Sequence, residues 1–182
     1  HDKTKKRKCR PCVTSVSVLT IVGEIPADEG RTVFRPPYFG KDKPQHSIAS
    51  LRLNVLPQIR RTRRAPSFKK IAADYAMVQL DHKTWWTGRD LHPSKAMPDY
   101  GSDIAVKNAE GALSLMLGES SPEKLEALYR YVNNGIDIYY MMRGGVVWPP
   151  AGGHGEGRKL PAAFAAVLLD DSKMKEALRK ED

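Results

Sequence analysis

The rhythm of apolar positions changes along the chain. Val13 to Val22 (VTSVSVLTIV) is a β-branched run with partial alternation, the pattern of a strand. Gly23 to Gly30 breaks it. The paired prolines of Phe34-Arg-Pro-Pro-Tyr-Phe-Gly40 then force an extended path, and Gly40 allows a turn. Ser47 to Leu56 fits either a second strand or a short helix, and Pro57 ends it.

From about residue 71 the spacing becomes helical. Ala105, Ala109, Ala112, Leu113 and Met116 recur at three- and four-residue intervals, which predicts a helix capped by Ser102 or Asp103 and running to Leu117 before Gly118. Ser121, Pro122 and Glu123 form the clearest helix start in the chain. The stripe Leu125, Leu128, Tyr129, Val132, Ile136, Tyr139 and Tyr140 carries that helix to about Met142, where Gly144 and Gly145 stop it. A third helix opens around Pro161 and runs to Asp170, and a fourth begins at Ser172. The second and third are apolar around much of their circumference, so they are expected to lie between neighbours, as antiparallel hairpins do. The aromatic and methionine content of this region reads as core packing. The expected architecture is mainly α, with helical hairpins in 71–182 preceded by a strand-and-loop segment in 1–70.

Composition narrows the class. The chain has 182 residues, enough for one ordinary domain, and no apolar run approaches the length of a membrane span. Its formal net charge of +9 invites a nucleic-acid reading, but the excess is uneven. Residues 1–70 hold 17 Lys+Arg against 5 Asp+Glu, whereas the rest holds 13 against 16. The cations concentrate in two runs, Lys3 to Arg10 and Arg60 to Lys70, with no recognised nucleic-acid motif beside them, so nucleic acid is not the favoured partner. An anionic polymer, an acidic partner or plain solvation accounts for them equally well. Cys9 and Cys12 are too few for a structural zinc site and read as a local disulfide or free thiols; neither metal nor cofactor is expected. A start at His1, without an initiator Met, points to a processed product or an excised piece.

Two segments depart from what packing alone selects. Trp85 to Gly101 gathers Trp85, Trp86, Arg89, His92, Asp99 and Tyr100 ahead of a helix. Gly144 to Lys159 has glycine at six of sixteen positions, and in it His154, Glu156 and Arg158 alternate with glycines. An extended path puts those three side chains on one side, and glycine lets a ligand approach the backbone. A proton shuttle, a carboxylate and a guanidinium able to clamp a carboxylate or sulfate then converge, although a polar interhelical loop without chemistry explains the same letters. The phosphate-loop and dinucleotide spacings are absent. Trp85, Trp86, Trp148 and Tyr100 have faces suited to sugar rings; closing the core is the competing use for Trp85 and Trp86.

His92-Pro-Ser-Lys-Ala-Met-Pro-Asp-Tyr-Gly101, the two helices after it, Gly152-Gly-His-Gly-Glu-Gly-Arg-Lys-Leu-Pro161 and Phe164-Ala-Ala-Val-Leu-Leu-Asp-Asp171 together resemble secreted bacterial proteins of the helical-toroid type, the architecture of alginate, heparin and chondroitin lyases. Phe34-Arg-Pro-Pro-Tyr resembles an N-terminal feature of such proteins. The resemblance spans roughly residues 82–171. It implies a partial α/α toroid with a sugar cleft at one end, a secreted or periplasmic location and an acidic polysaccharide as substrate. A closed ring needs more helices than this length supplies, which implies a fragment or a reduced relative.

The chemistry it implies is β-elimination at a uronate, with Tyr100 or His154 as base and acid and Arg158, with His92 or Arg89, neutralising the carboxylate. A glycoside hydrolase would use Asp99 and Glu156 instead. The other class is a non-catalytic binding or assembly module whose basic first half attaches to a glycan, a nucleic acid or another subunit. Whether the chain is an enzyme, and whether it oligomerises, stays open at this point.

Overall fold

The computed structural model describes residues 17–26, 28–82, 101–148 and 157–179. Within them the protein is mainly α, with helices α1 (Phe68–Asp74), α2 (Gly101–Leu115), α3 (Pro122–Arg143), α4 (Lys159–Leu168) and α5 (Ser172–Arg179). Two single-turn 3₁₀ helices, Ile48–Ser50 and Leu53–Val55, precede them. No described helix is long and apolar enough to cross a membrane.

The longest helix, α3, has the boundaries that its stop signals predict. The Ser121 hydroxyl accepts the Lys124 N–H at 3.1 Å, Pro122 opens the first turn, and the Gly144 N–H closes onto the Tyr140 carbonyl at 3.0 Å. Glu123 sits at the positive end of the helix dipole and Arg143 at the negative end. In α5, the Asp171 carboxylate accepts the Met174 N–H at 2.9 Å. Met174 and Leu178, four residues apart, then face inward together.

α3 forms the centre because it is buried on nearly every side. Gly135 packs on Pro161 and Ala165, and Tyr131 meets Phe164 edge-on at 5.1 Å, so α4 runs back along α3 as an antiparallel partner. α2 does the same on another side, with Gly111 against Tyr131 and Leu117 beside Lys124. The antiparallel pairing expected from the apolar circumference of α3 and α4 is therefore present.

Several buried polar groups inside this packing are paired across elements. The Tyr131 hydroxyl donates to the Asn108 carbonyl at 2.8 Å and the Tyr75 hydroxyl to Asn108 Oδ1 at 2.9 Å. Asn108 Nδ2 donates in turn to the Gly157 carbonyl at 2.9 Å. Burial pushes both phenols well above their usual pKa, so they remain neutral donors. Just beyond the other end of α2, the Lys124 ammonium reaches the Leu117 carbonyl and gives that buried charge an acceptor.

The described residues before α1 contribute loops to this frame. Phe34 is buried against Tyr129, Arg35 reaches Asp137, Tyr38 reaches Met141, and Phe39 closes on Gly144, so residues 34–39 run parallel to α3 along its length. The strand expected over Val13 to Val22 is absent where it is described. Residues 17–22 have no ladder partner among the described residues, and Leu19 and Ile21 are 90% and 82% exposed. A β-branched run becomes a strand only beside an edge that can pair with it, and among the described residues the only bridges are the isolated pairs Val33–Ser47 and Ile59–Leu117. Ser47 to Leu56 takes the helical option as the two 3₁₀ turns, and α2 begins at Gly101, ahead of the predicted caps Ser102 and Asp103.

Gly135 tests the α3–α4 contact directly. A Cβ there would lie 2.1 Å from the Pro161 carbonyl oxygen and 2.8 Å from Ala165 Cβ. Helix propensity alone favours alanine over glycine by about 1 kcal/mol. Overpacking opposes it and wins, so Gly135→Ala is expected to destabilise the protein by about 2–3 kcal/mol in a urea unfolding titration. A stabilised variant would show that the two helices do not approach this closely.

Candidate functional site

Three of the four ends of the segments that carry most of the candidate chemistry meet at one place. Asp81 and His82 precede the first of these segments and Gly101 follows it; Trp148 precedes the second, and Gly157 with Arg158 follows it. Asp81 joins three of those positions. Arg158 places its guanidinium on the Asp81 carboxylate through two nitrogens, Nε to Oδ2 and Nη2 to Oδ1, the latter at 2.8 Å. The Trp148 indole N–H donates to the Asp81 backbone carbonyl at 2.9 Å, and the Arg158 guanidinium lies 5.2 Å from the Trp148 ring centre.

Gly157 supplies the contact to α2. Its φ of +79° is a left-handed conformation, and a Cβ there would fall 2.3 Å from Ala105 Cα. Only glycine fits both demands. The chain thus enters α4 pressed against the first turns of α2, with the Gly157 carbonyl held by Asn108.

A second cluster lies next to Asp81. The Tyr38 hydroxyl is 3.1 Å from both His82 Nδ1 and Met141 Sδ, and the His82 ring stacks on Phe39 at a centroid distance of 5.9 Å. Burial, followed by the charges of Asp137 and Asp81, pushes the Tyr38 phenol far up. Asp137 sits under the same segment. It accepts two nitrogens of Arg35 and the Tyr38 N–H, the last at 3.1 Å. Burial pushes its carboxyl upward, and the Arg35 charge opposes that shift.

The residues singled out from the sequence divide as follows. Trp148 and Arg158 are described and brought together, although they are ten positions apart and start from opposite ends of the glycine-rich loop. Arg158 is buried, and its guanidinium is taken up by Asp81. It therefore braces the site from within and is not turned to solvent to receive a substrate carboxylate. Trp85, Trp86, Arg89, His92, Asp99, Tyr100, His154 and Glu156 lie outside the described residues, as do Cys9 and Cys12. Sequence reasoning passed over Asp81, His82 and Tyr38. For Asp81 the available signal was a carboxylate directly after the apolar Val78 and Leu80 and before the Trp-rich segment, which is a place where a buried charge needs a partner.

Among the described residues, no group of His, Cys, Asp and Glu side chains is arranged to hold a metal ion. No protein-family model matches the chain, and no curated protein or solved structure matches it.

The buried pair has a measurable consequence. Arg158→Met leaves the Asp81 carboxylate without its cation and is expected to cost about 3–5 kcal/mol in chemical denaturation. The double variant Asp81→Leu, Arg158→Met removes both charges and should restore most of that loss. Equal instability of the single and double variants would mean that the two charges do not meet.

Proposed function

We propose that this protein acts on an acidic polysaccharide at the end of the helical frame where the two segments begin and end. The observation that carries the reading is the tie through Asp81. It holds Trp148 and Arg158, which flank the stretch of His154 and Glu156 in sequence, to Asp81, four positions ahead in sequence of the stretch that carries Trp85, Trp86, Arg89, His92, Asp99 and Tyr100. Indole faces for sugar rings, cations for uronate carboxylates and a Tyr or His for proton transfer all belong to that set.

The reaction these groups suit is β-elimination. Tyr100 or His154 takes the proton α to the uronate carboxylate, His92 or Arg89 neutralises the charge that develops, and the C4–O bond breaks as the C4–C5 double bond forms. The leaving oxygen takes a proton from the acid. Arg158 acts here through Asp81 and Trp148, as a positioning residue.

One observation favours the non-catalytic alternative. Arg60, Arg63, Arg64 and Lys69 are exposed, and two of them, Arg60 and Arg64, line a groove of about 470 Å³ floored by Ile59, Leu113 and Leu117. That surface suits an anionic partner held by charge and apolar contact, with no chemistry.

Incubation with a panel of polyuronides separates the two readings. The enzymatic reading predicts growing ultraviolet absorbance from the unsaturated product, reduced about 100-fold or more in Tyr100→Phe or His154→Ala. Absence of product with every polyuronide would overturn it. Binding that persists without product, and weakens steeply with salt, would then assign the attachment role.

A further inference from the structure

Backbone and side-chain bonds hold the groove beside Arg60 and Arg64 in shape. The chain after Pro57 is clamped to the end of α2: the Ile59 N–H donates to the Met116 carbonyl and the Gly118 N–H to the Ile59 carbonyl, both at 2.9 Å. Arg61 then pins the next turn, with its guanidinium on the Glu119 carboxylate and on the Ala65 and Pro66 carbonyls. Residues 59–66 and the last turns of α2 are thus fixed before anything binds, and the space between them lies within the roughly 300–1,000 Å³ of ordinary binding clefts.

The floor is apolar and open to solvent. Leu113 is 59% exposed, and Val106, two turns back along the same face of α2, is 68% exposed, so the apolar surface continues out of the groove along the helix. The rim is cationic. Arg61 is neutralised by Glu119, and Lys70 by Asp74 and Glu110, which also balances the one carboxylate in the lining. Arg60 and Arg64 are exposed and form no ion pair with a described carboxylate. A complementary surface therefore brings negative charge and apolar side chains together.

Those two demands separate one kind of anion from the others. A nucleic acid or polyuronide would satisfy the arginines but would set a hydrated polymer against leucine and isoleucine. Nucleic-acid bases stack on aromatic faces, and no aromatic side chain lines the groove; Phe68, which lies under Arg61 at 4.9 Å, is buried. The chain's own stretches outside the described residues do not fit either. Residues 1–16 and 83–100 are net cationic, and 149–156 and 180–182 hold no large aliphatic or aromatic side chain. We propose that the groove docks an acidic amphipathic segment of a partner protein, which lays large apolar side chains on Ile59 and Leu113 and sets its flanking carboxylates against Arg60 and Arg64. The proposal rests on the attachment surface described above and gives it a partner. It is independent of the Asp81 site, whose neighbour Gly157 packs at the opposite end of α2, on Ala105.

Fluorescence anisotropy of a labelled peptide with leucine at every third or fourth position and glutamate between, titrated with the full chain, tests the proposal. The peptide is expected to bind saturably, and exchanging its leucines for serine or its glutamates for lysine should each cost about tenfold or more. On the protein, Leu113→Ser and the double variant Arg60→Ala, Arg64→Ala should each weaken the peptide by about tenfold. Arg63→Ala, in the same basic run but outside the groove lining, should leave it unchanged. All four side chains are exposed, so the variants should melt with the parent protein, and their release of unsaturated product from polyuronides should not change. No saturable binding of the acidic peptide, or binding undiminished in both Leu113→Ser and the arginine pair, would overturn the proposal. A single-stranded oligonucleotide or a polyuronide held as tightly as the peptide, and weakened by the same variants, would also overturn it while leaving the surface as a site of anionic attachment.

Discussion

A carboxylate removed from water must be met by a cation or by several donors, and Asp81 meets that demand in a way that organises the site. Its side chain receives Arg158 through two nitrogens and its backbone carbonyl receives Trp148. Arg158 immediately precedes α4, and Trp148 follows the turn that ends α3. One residue thereby fixes where the chain leaves one helix and where it enters the next. Gly157 completes the arrangement, since its left-handed backbone and missing side chain let the same stretch press on Ala105 of α2.

The same logic extends into the core. A helix buried on most sides, as α3 is, gains from apolar packing but must also house whatever polar residues its sequence contains. Asp137 is answered by Arg35 and the Tyr38 N–H, and Tyr131 by the Asn108 carbonyl. These contacts cross from the loop segment to α3 and from α2 to α3. They add geometric selectivity to a core whose apolar surfaces alone would tolerate several alignments. Gln79 and Asn134 stand apart from that pattern, each with a polar atom unmatched among the described residues.

Helices α2 to α5 were readable from local letters because their causes are local, whereas the short α1, at the edge of the expected strand-and-loop segment, was not foreseen. Ser121, Pro122 and the glycines after Arg143 state the limits of α3, and the all-round apolar character of α3 and α4 states that each lies between neighbours. The contacts that shape the site were not readable in the same way. Asp81 and Arg158 are 77 positions apart and Arg35 and Asp137 are 102 apart, and no local pattern encodes such pairings. Trp148 and Arg158 stood out as unusual letters in a glycine-rich loop, but the letters alone pointed to a solvent-facing clamp. Burial turned that guanidinium inward. The described part of the Val13–Val22 run misled for the converse reason: β-branched residues report fitness for a pleated surface, and residues 17–22 find no edge to join among the described residues.

The acidic-polysaccharide reading stands or falls with whether the two segment ends are held together at Asp81. Hydrogen exchange of the Trp148 indole N–H is the most direct measurement of that tie, with its signal identified by its loss in Trp148→Phe. A proton donated to the Asp81 carbonyl inside the folded frame should exchange slower than a free indole by about 100-fold or more. Exchange at the free-indole rate in the folded protein would contradict the tie, and with it the observation on which the proposed function rests.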